Sequence, residues 1–429
     1  MHQRKETKQS NMYDLIVVGG GASGMMTAGI AAKNGKRVLL LEKNSELGKK
    51  LKITGGGRCN ITNATFDNKV LLKKYGDAEK FLYSPFSQFD VQDSFTFFEG
   101  LGLQLVTEAR NRVFPKSQKA MDVFQTMHNF IAKHNVDIQK NASVKSFHVS
   151  SDAAQNSEKH ISYVETTDGE RHFAKNFVIA TGGNSYPETG STGDGFVWLR
   201  KLGHTIHKSS PNIVPLQTAE SWTHELSGTS LSFMKITFFV DGKKAFSKTG
   251  KVLFTHFGLS GPLILNSAKQ VSDLLQSGEV TATIDCYPDT DHKSLEKQIL
   301  KVLDTNKNKS FKNVVKDIVP AGLSNTIIGF HIIPDVMNKV HSISKEERKT
   351  IVHLLKAMPL TITGLMGMDR AVVSDGGIPL SEIDTKNMKS RLFDNLYLTG
   401  DILHINRPSG GYSLQLCWTT GYVAGQLNK

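Results

Sequence analysis

Residues 13–42 read YDLIVVGGGASGMMTAGIAAKNGKRVLLLE, and this stretch decides the fold. The apolar run at 15–18 is sized for one buried strand. Gly19-x-Gly21-x-x-Gly24 then turns the chain into a helix over 25–34, with Gly35 as its C-terminal cap. A second strand over 37–42 completes a βαβ unit of about 30 residues. In such a turn the first glycine allows the tight bend and the second lets the backbone approach a pyrophosphate. The third lets helix and sheet pack closely. The helix N-terminus offers free N–H groups and a dipole that favours negative charge. Glu42 ends the second strand, where a carboxylate can accept both ribose hydroxyls of an adenosine and would repel a 2′-phosphate. Three glycines alone are a weak signal. With strand, helix and acid all in place they predict a dinucleotide site.

Two further motifs narrow the dinucleotide. Ile179-Ala180-Thr181-Gly182-Gly183 reads as a short buried strand, 177–180, ending on glycines that let the chain pass under a bound cofactor. Leu396-Tyr397-Leu398-Thr399-Gly400-Asp401 is another buried strand, 395–399, ending in Gly-Asp far downstream of the first motif. A nicotinamide domain has no use for a carboxylate there. An FAD fold uses it for the ribityl and pyrophosphate region. The three motifs together predict one non-covalent FAD.

The flavin end follows from two more stretches. Gly410-Gly411-Tyr412-Ser413 opens a closing helix over 411–427, whose N-terminus should face the flavin pyrimidine edge and stabilise the reduced ring. Gly55-Gly56-Gly57-Arg58-Cys59-Asn60 would form the opposite wall, with Arg58 and Asn60 as donors. Cys59 has no partner at Cys-x-x-Cys spacing and reads as a neutral, packed or flavin-adjacent thiol.

Between these motifs, 81–100 and 120–134 have helical spacing, and 144–149 with 160–173 alternate like a hairpin sheet split by a polar loop at 150–159. The stretch 48–63 is too glycine-dense for a helix. After about residue 204 the pattern changes. Strands are expected at 213–216, 235–240 and 244–254, the last two joined by an Asp241-Gly242 hairpin turn. Helices are expected at 295–303, 312–318 and 345–355. The domain reading is a loose tail at 1–11, a discontinuous FAD-binding domain at 12–204 and 357–429, and an insertion at 205–356. The insertion is β-barrel-like over about 205–290 and helical over about 291–356. The fold class is α/β, a Rossmann-like FAD domain of glutathione-reductase type interrupted by that insertion.

Bulk properties agree with a globular chain of more than one domain: 429 residues, 39% hydrophobic and 21% charged. No apolar run approaches the roughly 20 residues of a membrane-spanning helix, and the polar start lacks the core of a signal peptide. Three scattered cysteines argue against a disulfide framework, a zinc site and a dithiol centre, so no metal is expected. A cytoplasmic location fits. The net charge is +12. Its lysines are scattered and read as solvated surface, so a small-molecule substrate is expected and nucleic acid is disfavoured. Oligomeric state has no signature.

At these motifs the chain resembles a bacterial family of FAD-dependent oxidoreductases known as NAD(FAD)-utilising dehydrogenases, which includes aminoacetone oxidase and a reductase of bile-acid-type enones. The matching stretches are GKKLKITGGGRCNITN at 48–63, RVFPKSQKA at 112–120, TGGNSYPETGSTGDG at 181–195, FTHFGLSGP at 254–262 and the run 400–421. The resemblance implies the same FAD domain with an inserted barrel and helices. The family usually reads Gly-Glu-x-Leu-Asp-x-Asp and then Gly-Gly-Tyr-Asn in its last motif. This chain has Asp401, His404, Asn406 and Ser413 there.

The expected cofactor-contacting residues are Gly19, Gly21, Ala22, Ser23, Gly24, Glu42, Lys43, Lys50, Leu51, Gly55, Gly56, Arg58, Cys59, Asn60, Val144, Thr181, Gly182, Gly183, Asp194, Gly400, Asp401, Gly411, Tyr412 and Ser413. Arg58, Arg112, His256 and Tyr412 are the candidate catalytic residues, with His404 also available. The expected activity is hydride transfer at flavin N5, reducing an activated C=C bond or oxidising an amine. With no second dinucleotide motif, NAD(P)H would be a transient donor, and O₂ is the other possible partner. The alternatives are a flavin-dependent tRNA-modifying enzyme and a non-catalytic flavin-binding or redox-sensing protein.

Overall fold

A computed structural model describes residues 12–150, 159–371 and 373–427. The tail expected at 1–11 and most of the loop expected at 150–159 lie outside the described residues. The chain divides into two units, Met1–Pro211 with Val372–Lys429, and Asn212–Ala371.

In chain order the strands of the first unit are β1 (Tyr13–Val18), β2 (Val38–Glu42), β3 (Thr62–Asn63), β4 (Leu105–Glu108), β5 (Arg112–Pro115), β6 (Asp137–Lys140), β7 (Val144–Val149), β8 (Ile161–Thr166), β9 (Arg171–Ile179) and β10 (His207–Asn212). The second unit holds β11 (Leu216–Thr218), β12 (Ser230–Val240), β13 (Lys243–Thr255), β14 (Gly258–Ser260), β15 (Val280–Asp285) and β16 (Met358–Leu365). β17 (Val373–Gly377) and β18 (Leu396–Leu398) return to the first.

The first unit is organised by a seven-stranded sheet in the order β6-β2-β1-β9-β8-β7, with β18 also on β9. β6, β2, β1, β9 and β18 run parallel. Leu15, Ile16 and Val17 of β1 are fully buried, as a strand covered on both faces requires. Each such side chain contributes about 1.5–3 kcal/mol by leaving water. The register sets Val18 beside both Leu41 and Ile179, and Ile179 beside Leu398. The carboxyl ends of β2, β1, β9 and β18 therefore emerge along one edge. The helices Ala22–Lys33 and Tyr412–Gly425 pack together, Gly421 and Gly425 facing Ser23 and Thr27.

The second unit is a closed barrel in the order β11-β14-β13-β12-β15-β16, with its own apolar core. Ile236 and Phe238 of β12 and Val280, Ala282 and Ile284 of β15 alternate inward with period two. Helix His292–Thr305 adds Leu295, Ile299 and Leu303 from one face, capped by Asp291, whose side chain accepts from the Ser294 N–H.

Several expectations differ from the structure. The helix expected at 81–100 is two, Glu79–Phe86 and Val91–Gly100, because Asp90 forms a capping box with Asp93 and starts a new helix. The glycine-rich stretch 48–63 contains a helix after all, Lys49–Ile53, five residues long and ending before the glycine run. The strand expected at 177–180 is not separate: β9 is continuous from Arg171, pairing antiparallel with β8 early and parallel with β1 and β18 late. The strand expected at 213–216 begins only at Leu216, since Ile213 has a left-handed backbone. β16 pairs with β11 and β15 in the barrel, so the barrel extends past the return expected at 357.

Candidate functional site

The phosphate cradle lies between β1 and helix Ala22–Lys33. A Cβ on Gly24 would sit 1.9 Å from the Gly19 carbonyl oxygen, so only glycine permits this turn. At Gly21, by contrast, a Cβ would meet nothing within 4 Å. That open space lies at the helix N-cap, where no side chain caps the first turn and no acid occupies it. Ala22 and Ser23 open the helix. This donor set, uncapped N–H groups facing free volume, fits a pyrophosphate.

Glu42 is 8% exposed at the end of β2. Its Oε2 accepts from the Gly20 N–H at 2.8 Å, and its Oε1 accepts from the Asn44 N–H at 2.8 Å and Nδ2 at 2.7 Å. Three of the four lone-pair positions of a carboxylate are thus used by protein. The orientation is fixed, with one position left, so the carboxylate has room for one ribose hydroxyl and not for both as the sequence leads one to expect. Residues 141 and 142 donate to the Asn44 and Glu42 carbonyls, which brings the start of β7, with Val144, beside this acid. Lys43 extends to Asp194 at 2.7 Å and to the Thr192 hydroxyl.

Thr181, Gly182 and Gly183 follow β9. The buried oxygens Thr181 Oγ1, Asn184 Oδ1 and Asn60 Oδ1 have no hydrogen-bond partner among the described residues. Such atoms cost about 1–3 kcal/mol each when left unmade, and a polar cofactor would satisfy them. Gly400 and Asp401 follow β18, and the Gly400 N–H donates to Thr420 of the closing helix at 3.0 Å.

Asp401 has a partner that the sequence did not suggest. The guanidinium of Arg407 donates to its carboxylate, to the Ser413 hydroxyl at 3.0 Å and to the Ile405 carbonyl at 2.7 Å. Lys50 donates to the Ser185 carbonyl at 2.7 Å and hydroxyl at 3.1 Å. Burial lowers the pKa of Lys50, and the charge of Asp401 opposes that shift. Leu51 is buried behind it. Arg407 sits in a loop without periodicity, and the only signal for it is that a buried arginine needs a carboxylate.

The residues expected to form the other wall lie on the three-stranded sheet β3-β5-β4 and the loop before it. Gly55 and Gly56 are exposed, while Cys59 is fully buried, and burial pushes its thiol well above the usual range. Cys59 is therefore a protonated, inert thiol. Arg58 is not free: it donates to Glu108 and to Gln118, and its guanidinium lies 4.0 Å from the Phe114 ring centroid. The hydrogen bond from Arg58 lowers the pKa of Glu108. Arg112 lies over the same ring at 5.8 Å, so the two predicted arginines are neighbours. A Cβ on Gly411 would sit 2.2 Å from the Thr62 carbonyl, which fixes the start of the closing helix against β3. Tyr412 packs edge-on to Tyr75, whose hydroxyl donates to the Tyr412 carbonyl at 2.9 Å. Burial raises the pKa of the Tyr412 phenol.

His256 is in the other unit, exposed at the turn between β13 and β14 with its ring edge-on to Phe257. His404 is exposed and lies 4.7 Å, ring to ring, from His207. Among the described residues, no helix is long and apolar enough to cross a membrane.

Comparison with known proteins places the chain among related proteins. The chain is 27% identical over 419 residues to a 3-dehydro-bile acid delta(4,6)-reductase of Clostridium scindens, covering 97% of this chain and 98% of the relative. It is 25% identical over 414 residues to a ribosomal RNA dihydrouridine synthase of Escherichia coli, covering 96% and 97%. A protein of the same name from Haemophilus influenzae is 27% identical over 416 residues, covering 96% and 98%. Among solved structures, the 3-ketosteroid delta1-dehydrogenase from Sterolibacterium denitrificans shares the fold with a TM-score of 0.55 at 14% identity, covering 97% of this chain and 99% of that one. The family profile described as "HI0933-like protein Rossmann domain" matches residues 13–427. The chain thus belongs to the HI0933-like family, and it is an FAD-dependent oxidoreductase.

Proposed function

We propose that this chain reduces a carbon–carbon double bond conjugated to a carbonyl group. The observation that carries the reading is the chemistry common to the relatives' names. A 3-dehydro-bile acid delta(4,6)-reductase acts on double bonds conjugated to a ketone. A dihydrouridine synthase acts on the C5–C6 bond of uracil, which is conjugated to C4=O. Both kinds of relative align over 96% or more of this chain.

FAD, when bound, would supply the hydride for this reduction. The Gly19–Gly24 cradle, Glu42 and Asp401 would hold the dinucleotide. Arg112, over the Phe114 ring, offers a cationic donor to the substrate carbonyl, which draws electrons from the double bond, while Arg58 is held beside it by Glu108 and Gln118. Tyr412, at the start of the closing helix, is the proposed proton donor to the α-carbon. NADPH or NADH would restore the reduced cofactor by a transient visit.

Anaerobic stopped-flow of the yellow protein tests this reading. NADPH or NADH should bleach the visible flavin band, and a conjugated enone should restore it without oxygen. Bleaching by amines alone, with colour returning only on admission of O₂, would reject the proposal in favour of amine oxidation.

A second reading places the double bond in a uracil of RNA. It is supported by the net charge of +12 together with two relatives named as ribosomal RNA dihydrouridine synthases. Incubation with ribosomal RNA and NADPH should then yield dihydrouridine. RNA affinity should fall with salt, with a log–log slope of about −0.7 to −0.9 per phosphate contacted. A flat salt response with no dihydrouridine formed removes this reading.

A further inference from the structure

Arg407 lies in the loop between β18 and the closing helix, and its side chain is 1% exposed. A charge so buried needs a partner, and it has Asp401. Its Nε bonds to Ser413, in the first turn of helix Tyr412–Gly425. Where the resembling family reads Gly-Gly-Tyr-Asn, this chain has Ser413, whose hydroxyl accepts from the arginine. Lys50 lies near the same carboxylate, which opposes the lowering of its pKa by burial. The guanidinium of Arg407 therefore balances the carboxylate of Asp401. The uncapped helix start adds further positive partial charge. A guanidinium stays protonated in any protein setting, so its part of this charge is permanent.

We infer that Arg407 is a positioning residue that raises the reduction potential of the flavin, by fixing Ser413 at the closing-helix N-terminus and neutralising the Asp401 carboxylate there. The inference rests on the proposed placement of the flavin pyrimidine edge at that helix start. The reduced ring carries negative charge at N1–C2=O, and nearby positive charge stabilises the reduced form over the oxidised form. Asp401 alone would act in the opposite sense. Pairing it with Arg407 lets the carboxylate serve the ribityl chain without penalising reduction.

The test is the two-electron potential of the FAD-loaded protein, measured by equilibration with a reference dye. Arg407→Gln should lower the reduced-to-oxidised ratio at fixed ambient potential tenfold or more, about 30 mV for two electrons. Arg407→Lys keeps the charge and should restore most of the loss. A merely structural arginine would change thermal stability and FAD affinity but not the potential. Removing one partner of a buried pair can unfold a protein. Should Arg407→Gln fail to fold, Asp401→Asn is read instead, and it must move the ratio the other way. An unchanged ratio in the folded, FAD-loaded variant, or a lysine variant no better than glutamine, overturns the role of Arg407 while leaving the FAD site standing. A wild-type chain that takes up no FAD overturns both.

Discussion

Two demands meet at Asp401. Its carboxylate is the proposed partner of the ribityl chain, and it also compensates the buried Arg407 guanidinium. A hydrogen bond to an ionised group is worth about 1.5–3 kcal/mol, so Asp401→Ala should weaken FAD by roughly 10- to 150-fold. The same change strands a buried cation, which costs about 3–5 kcal/mol of stability. The two effects separate in the double variant Asp401→Ala with Arg407→Met. It should recover most of the stability in apo-protein denaturation while FAD titration still shows the weak affinity. Recovery of affinity along with stability would mean that Asp401 serves only the arginine. At this scale the sequence is legible where one residue type answers one requirement. Gly24 is forced by a backbone contact and Glu42 by its place at a strand end. Arg407 and the Arg58–Glu108–Gln118 group are not legible, because their roles depend on partners brought together from distant segments.

Elements were read best where burial is symmetrical. β1 and β2 carry continuous apolar runs because the parallel sheet covers them on both sides. The sequence of β9 reads as two pieces because its first half alternates for one neighbour and its second half is buried between two. A tie between elements invisible to periodicity is His204, just past helix Asp194–Leu202. Its Nδ1 meets Glu382 at 2.6 Å and its Nε2 meets Ser390 at 3.0 Å. This serine–histidine–carboxylate order resembles a hydrolytic triad, but Ser390 is 2% exposed and also accepts from the Leu392 N–H, so it pins a loop rather than meeting substrate. Burial lowers the pKa of His204 against the opposing pull of Glu382. A histidine with a depressed folded pKa contributes stability that is present above its unfolded value of 6.5 and is lost as pH falls below it. Burial also depresses His134 and adds in the same direction. The denaturant midpoint should therefore fall between pH 7 and pH 5.5, and His204→Gln should flatten part of that slope. A midpoint that rises on acidification would contradict the assignment.

For the whole molecule, the main consequence of the topology is that the cofactor's proposed contacts all fall on one side of the division. Every residue expected to touch FAD lies in Met1–Pro211 or Val372–Lys429, while Asn212–Ala371 has a separate apolar core. The chain leaves the first unit through β10 and returns through β17, and these two strands pair with each other. The insertion thus begins and ends at one place, which explains why the Rossmann motifs could be read in order across 160 intervening residues. A ligand stabilises only the structure it binds, by RT ln(1 + [L]/Kd), about 2.7 kcal/mol at 100 times Kd. Added FAD should therefore slow amide exchange in β1, β9 and the closing helix by up to about 100-fold while leaving β12 and β15 of the barrel unchanged. Hydrogen exchange followed peptide by peptide, on apo protein with and without FAD, measures both units in one experiment. Equal protection of the barrel strands would show that the two units open together, and protection confined to the barrel would move the cofactor out of the Rossmann unit altogether.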